Sequence, residues 1–292
     1  MLYTIKNNYL QVEISDLGAE IKSIKYLGKD YLHDSNPKFW GRSAPLLWPN
    51  IGTIKNGESK INGISYPMKK HGFLRDTLTK MHLQEESKIV FEVNSNEDTL
   101  KLYPFEFKIL ITYELIDSTI KSNLEFFNLS NNDMPFNLGL HPAFKIPLND
   151  NEKFEDYKII FNEKGTYEMP TVNLNDGTID YANRCRKFTD LEILPLNYSD
   201  YDHDALVFEN IKATEVTLTN SLENHGIKFN FKEFPMLGIW TPNTCKAPFI
   251  CIEPWIGCAD APTSNGNFMS KRDIIIVKPN NSKLISYQIT FF

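Results

Sequence analysis

Three short segments carry side chains whose types and spacing suit proton transfer. The first is Phe249-Ile250-Cys251-Ile252-Glu253-Pro254-Trp255. Pro254 keeps the residue before it out of a helix, so Glu253 is extended and ends a predicted strand. Alternation then puts Phe249, Cys251 and Glu253 on one face and Ile250 and Ile252 on the other. Both faces are apolar, and the glutamate stands where a core side chain belongs. A carboxylate in such a place needs a partner or a task. Desolvation raises its pKa toward the range of a working general base. A structural carboxylate, paired with an arginine or capping backbone amides, is the competing reading.

The second segment is Pro135-Phe136-Asn137-Leu138-Gly139-Leu140-His141-Pro142. Here Phe136, Leu138 and Leu140 share a packing face, while Asn137, Gly139 and His141 form a small polar one suited to a ligand floor. A glycine in that row lets a ligand approach the backbone; a surface strand with an idle histidine is the alternative. The third is Lys69-Lys70-His71-Gly72-Phe73-Leu74-Arg75-Asp76, which by itself also reads as a solvated charged loop. His33, His82, His203 and His225 lack ligand spacing and read as surface. Two histidines and a glutamate on separate extended segments supply an acid, a base and an orienting donor for moving protons between oxygens. Each positioned acid or base is worth about 10²–10⁴-fold in rate, and such a set needs neither metal nor cofactor.

The elements that position these residues are predicted strands. Period-2 alternation runs through Leu10 to Ile14, Lys88 to Val93, Phe107 to Leu115 and Thr119 to Leu129. It returns in Lys158 to Phe161, Leu206 to Phe208, Glu215 to Thr219, Ile227 to Phe231, Phe249 to Glu253, Ile274 to Val277 and Leu284 to Phe291. These runs are short and rich in β-branched and aromatic residues. Asn56-Gly57, Asn62-Gly63, Asn131-Asn132-Asp133 and Asp176-Gly177 punctuate them, and Asn62-Gly63 reads as a tight hairpin. No apolar pattern holds helical spacing for three turns; the best attempt, Phe188 to Leu194, stops at Pro195. Around a dozen strands without intervening helices imply an all-β, antiparallel β-sandwich rather than βαβ units. No linker divides the chain, so residues 1–292 are expected to form one domain.

Composition narrows the function. The chain has 292 residues, 41% hydrophobic and 23% charged, with a formal charge of −6. That balance excludes disorder and coiled coil, and acidity with dispersed Lys and Arg argues against nucleic acid or an anionic membrane as partner. Cys185, Cys245, Cys251 and Cys258 form no Cys-x-x-Cys pair, so no zinc ribbon or finger is expected. No signal-like or spanning apolar run appears, which makes the expected location cytoplasmic. Dinucleotide, Walker, His-Glu-x-x-His and Gly-x-Ser-x-Gly motifs are absent.

Four stretches in order resemble the aldose 1-epimerase (mutarotase) family, specifically the branch related to LacX. They are Trp40-Gly41-Arg42-Ser43-Ala44-Pro45-Leu46-Leu47-Trp48-Pro49, Lys70-His71-Gly72-Phe73-Leu74-Arg75-Asp76, Gly139-Leu140-His141-Pro142-Ala143-Phe144 and Cys251-Ile252-Glu253-Pro254-Trp255. The resemblance implies a galactose mutarotase-like supersandwich and an isomerase that interconverts the α and β anomers of an aldohexose through the open chain. It implies that Glu253 takes the proton of the C1 hydroxyl, that His141 protonates the ring oxygen and that His71 orients the sugar. By the same resemblance Asp204, or Asp202 two residues before it, holds sugar hydroxyls. One departure stands out. The family pattern has a substrate-binding arginine in Gly-Arg-Ile/Leu where this chain reads Gly52-Thr53-Ile54, and threonine lacks the paired donors of a guanidinium. Arg42 or Arg75 is expected to reach the same space, and Asn137, on the face of the ligand floor, is a further expected substrate contact.

Two other functions compete. A hexose-6-phosphate 1-epimerase would use Lys69, Lys70, Arg42 and Arg75 on the phosphate. A non-catalytic sugar-binding or regulatory module is favoured by Thr53, although it has no need of an acid and a base. Trp40, Trp48, Trp240 and Trp255 are candidates for a stacking wall, with buried packing as the commoner fate of tryptophan. Monomer and homodimer both remain open.

Overall fold

Alternating burial makes the sheets. In Phe107–Ile116 and Thr119–Asn128 every second side chain is buried, as their apolar period of two requires. These strands pair in the middle of a nine-stranded sheet. Its order is Ile179–Pro195, Tyr157–Val172, Glu215–Asn220, Gly226–Asn230, Ser282–Phe291, Thr119–Asn128, Phe107–Ile116, Lys88–Asn94 and Lys80–Gln84. A second sheet runs Leu206–Phe208, Met236–Trp240, Phe249–Ile256, Leu138–Leu140 and Leu46–Leu47, with Ala143–Lys145 also pairing on Phe249–Ile256. Leu2–Lys6, Leu10–Ser15, Ile21–Tyr26 and Lys29–Asp30 form a third. Every strand pair in these sheets is antiparallel. The computed structural model describes residues 1–292.

One continuous core of 65 buried side chains draws on all three sheets, so the second sheet rests on packed hydrocarbon rather than on water. Trp48 belongs to this core, fully buried against Phe73, Tyr103, Phe107 and Phe126. Its expected place in a stacking wall is therefore taken by packing.

Local signals and long-range pairing divide the outcome. Asn62 and Gly63 both have positive φ, 51° and 82°, and close the hairpin Glu58–Ile61/Ile64–Pro67 as read from the dipeptide. The helix-like run Phe188 to Leu194 is instead part of strand Ile179–Pro195, whose long pairing with Tyr157–Val172 overrides a weak local pattern. The single α-helix, Glu97–Leu102, is short and capped by Asn96, whose side chain accepts from the N–H groups of Asp98 and Thr99. No helix is long and apolar enough to cross a membrane.

Phe249–Ile256 is buried at every position and sits centrally in the second sheet. Gly238 lies opposite Glu253 on the neighbouring strand, and a Cβ there would approach the Trp255 ring carbons to 2.6 Å. Gly238→Ala is therefore expected to displace the Trp255 ring and cost about 1–3 kcal/mol by overpacking. Urea denaturation reads this as a lowered midpoint; an unchanged midpoint would contradict the packing described.

Candidate active site

Sheet register brings His141 and Glu253 together. Leu138–Leu140 and Ala143–Lys145 are two halves of one partner to the central strand, interrupted at His141-Pro142. Gly139 lies opposite Trp255 and Ala143 opposite Cys251. Register survives the interruption, so His141 falls opposite Glu253, and the His141 Nε2 is 3.2 Å from a Glu253 carboxylate oxygen. Both residues are buried, at 7% and 2% exposure. Two prolines frame the site, each holding its preceding residue extended.

A cleft of about 270 Å³ opens over this pair. Trp40 stacks on the His141 ring at 4.6 Å between centroids, and Trp240 meets both edge-on at 5.9 and 5.8 Å. Trp255 closes the floor beside Glu253. The loop bearing Trp40 is tied from beneath. The His33 Nε2 bonds the Trp40 carbonyl at 2.9 Å, and the buried Glu20 carboxylate accepts from the Ser43 and Ala44 N–H groups. His33 is thus a buried support packed on Phe249, not a surface residue as expected. His225 also departs from that expectation, lying half-buried between Glu152 and Tyr157. His82 and His203 are exposed.

His71 enters from a second loop. Its ring centroid is 5.9 Å from that of His141, and its backbone sits at φ 67°, a left-handed conformation uncommon for a side chain of its size. The Gly52 N–H donates to its Nδ1 at 3.1 Å. With Nδ1 accepting, a neutral ring carries its proton on Nε2 as a donor. Asn50 secures this arrangement by donating to the carbonyls of Gly52 and Lys69. Asp204 lines the cleft as well, again with positive φ, two residues before strand Leu206–Phe208. Asp202 is exposed, accepts a bond from Asn243 and does not line the cleft.

Burial dominates the electrostatics. It pushes the Glu253 carboxyl well above its ordinary pKa, helped by the charge of Asp204 and opposed by Lys70 and the Trp255 indole. Burial also pushes His141 down to about 3 and His71 well below the usual range, with nearby positive charges adding to both. Burial thus favours the uncharged forms of Glu253, His141 and His71.

Three expected sugar holders do not line the cleft. Arg42 is committed to Asp76, to the Arg75 carbonyl at 3.0 Å and to Glu20 at 3.7 Å. Arg75 donates to the Lys70 carbonyl at 2.9 Å, so both arginines buttress the loop and act on the histidines only through space. Asn137 is buried with its amide donating to the Arg272 carbonyl. The chain changes sheets there: Phe136 pairs with Ile275 and Leu138 with Ile256. Strict alternation across Asn137 therefore fails. Of the four expected cations only Lys70 lines the cleft, and it forms no ion pair.

The far wall was not foreseen. Val172, Gly177 and Ile179, at the tip of the longest hairpin, cover that side. A Cβ on Gly177 would lie 2.5 Å from Thr53 Oγ1, so the tip rests directly on the position where the family pattern has its arginine. The Ile179 N–H donates to the Asp260 carbonyl, the Asp260 N–H donates to the Thr53 carbonyl, and the Asp260 carboxylate pairs with buried Lys271 at 2.6 Å. The Asp176-Gly177 turn signal was the only trace of this wall in the sequence.

The fold and cleft define a galactose mutarotase-like protein. The aldose 1-epimerase family profile matches residues 1–287, and the chain belongs to that family. It is 31% identical to the plasmid-borne protein LacX of Lactococcus lactis subsp. lactis, covering 99% of both chains. Among solved structures it resembles a galactose mutarotase related enzyme from Lactobacillus acidophilus, at 30% identity and TM-score 0.94, covering 100% of this chain and 97% of that one. A galactose mutarotase-like protein from Lactobacillus casei superposes with TM-score 0.90 at 27% identity, over the full length of both.

The raised Glu253 carboxyl has a consequence for stability. Its folded pKa lies above the unfolded value, so folding holds the proton more tightly, and stability is lost as pH rises from the unfolded pKa toward the folded one. Glu253→Gln removes that loss. The variant is expected to melt about 2–4 °C above wild type at pH 8, with the gap closing near pH 4. A variant that melts lower at pH 8 than wild type, by differential scanning calorimetry, would contradict the assignment.

Proposed function

We propose that the protein is a cofactor-independent aldose 1-epimerase acting on a free aldohexose. The observation that carries this reading is the 3.2 Å contact between His141 Nε2 and the Glu253 carboxylate inside a sugar-sized cleft. The hydroxyl oxygen and ring oxygen of a pyranose share the anomeric carbon. An acid and a base serving both oxygens have to be neighbours, as these two are.

In ring opening, the Glu253 carboxylate takes the O1 proton while protonated His141 gives a proton to the ring oxygen. The C1–O5 bond breaks and C1=O1 forms. Rotation about C1–C2 presents the other aldehyde face, and the two transfers reverse. The pair thus carries one transferable proton throughout. Opening converts carboxylate plus imidazolium into their uncharged forms, the forms that burial favours, so desolvation lowers the cost of the open-chain stage. His71 Nε2 supplies a hydrogen bond to a sugar hydroxyl, and Asp204 accepts from others. Lys70 is the free donor that stands nearest in kind to the missing arginine. A single cation beside Asp204 and Glu253 favours a neutral sugar over a 6-phosphate.

Polarimetry or anomeric-exchange NMR tests this reading. Catalytic amounts should accelerate exchange of α-glucose or α-galactose, with the 6-phosphates poorer. Glu253→Gln should lose about 10²–10⁴-fold in kcat while still binding sugar. No acceleration with any common hexose, or undiminished exchange by the variant, would defeat the proposal.

The pH profile should be bell-shaped, with its basic limb set by loss of the pair's one proton. Lys70 lowers the Glu253 pKa and Asp204 raises it. Lys70→Met should therefore move the basic limb to higher pH and Asp204→Asn to lower pH. Shifts in the opposite sense would refute the electrostatic scheme.

A further inference from the structure

The face that presents Glu253 also presents a thiol. Cys251 precedes Glu253 by two residues on the central strand and lies opposite Ala143, in the half-strand that follows His141. One donor atom from each of His141, Cys251 and Glu253 lies within 4.8 Å of the others, and all three residues are buried. Cys251 has no disulfide partner, and its sulfur is packed among Ala143, Ala247 and Phe249, which offer it no side-chain acceptor. The His141 Nδ1 is also buried without a hydrogen-bond partner. The proton-transfer scheme uses neither the thiol nor this nitrogen.

One nitrogen, one sulfur and one oxygen donor converging beneath an open cleft match the preference of a borderline-soft divalent cation. Zinc sites with three protein ligands keep a fourth position for water or substrate. We propose that His141, Cys251 and Glu253 form an inhibitory site for Zn²⁺. On binding, the Cys251 thiol and the His141–Glu253 pair each release one proton to solvent, so that thiolate, neutral imidazole and carboxylate each give a lone pair. No electron is transferred. The metal engages the two residues that exchange protons with the sugar, so metal and sugar exclude one another. Only this last consequence rests on the proposed epimerase activity; occupancy of the site does not.

Cobalt(II), a spectroscopic stand-in for zinc, separates the two. Titrated into the full-length protein, Co²⁺ should produce a near-ultraviolet thiolate-to-cobalt charge-transfer band that saturates at one equivalent and is displaced by Zn²⁺. Cys251→Ala should abolish the band, and Cys258→Ser, at the cysteine that lines the cleft, should leave it. Zn²⁺ should inhibit anomeric exchange reversibly with EDTA, and saturating sugar should weaken metal binding. Cys251→Ala, or Cys251→Ser where the alanine variant is unstable, should keep exchange activity and lose about 10–100-fold in zinc sensitivity. Absence of the band in wild type, its persistence in the Cys251 variants, or equal zinc inhibition of those variants overturns the proposal. A protein without exchange activity that still shows the Cys251-dependent band would sink the epimerase reading alone.

Discussion

The pairing between Phe249–Ile256 and its interrupted partner is the constraint on which the site depends. Backbone hydrogen bonds on either side of His141-Pro142 hold Gly139 against Trp255 and Ala143 against Cys251. With both flanks in register, the histidine has only one residue to face. A one-residue slip would turn Glu253 to the opposite side of the sheet. The buried core beneath the strand penalises that slip heavily, because Ile250 and Ile252 would leave it and the Glu253 carboxyl would enter. Packing energy therefore fixes the distance between His141 and Glu253.

Burial does a second service in the same place. Removing water from Glu253 and His141 favours the uncharged state of each, raising the carboxyl and lowering the imidazole. Trp40 on His141 keeps solvent away, and that ring is held through its carbonyl by His33. The destabilising carboxylate is tolerated because the surrounding sheet is large and continuously packed. Active sites commonly trade stability for reactivity in this way.

What was legible in the sequence was local. Alternation in Phe107 to Leu115 needs only period two, and Asn62-Gly63 needs only the positive φ that both residues adopt. The anomalous glutamate before Pro254 was visible because its neighbours are apolar on both faces. Its distance from His141 was not, since more than a hundred residues separate them and only register joins them. Arg42 and Arg75 were misjudged because a guanidinium near a candidate histidine looks like a ligand donor, whereas buried Glu20 and the Asp76 carboxylate had already claimed Arg42. The hairpin tip over Thr53 escaped notice for a similar reason. Its closure depends on Asp260 and Lys271, residues from a loop nearly a hundred positions away.

The most direct test of the account is a crystal structure of the Glu253→Gln variant with an aldohexose bound. The expected result is a pyranose whose anomeric hydroxyl lies within hydrogen-bond reach of residue 253 and whose ring oxygen faces His141 Nε2. A sugar seated outside this cleft, or one with its anomeric carbon turned away from both side chains, would contradict the account.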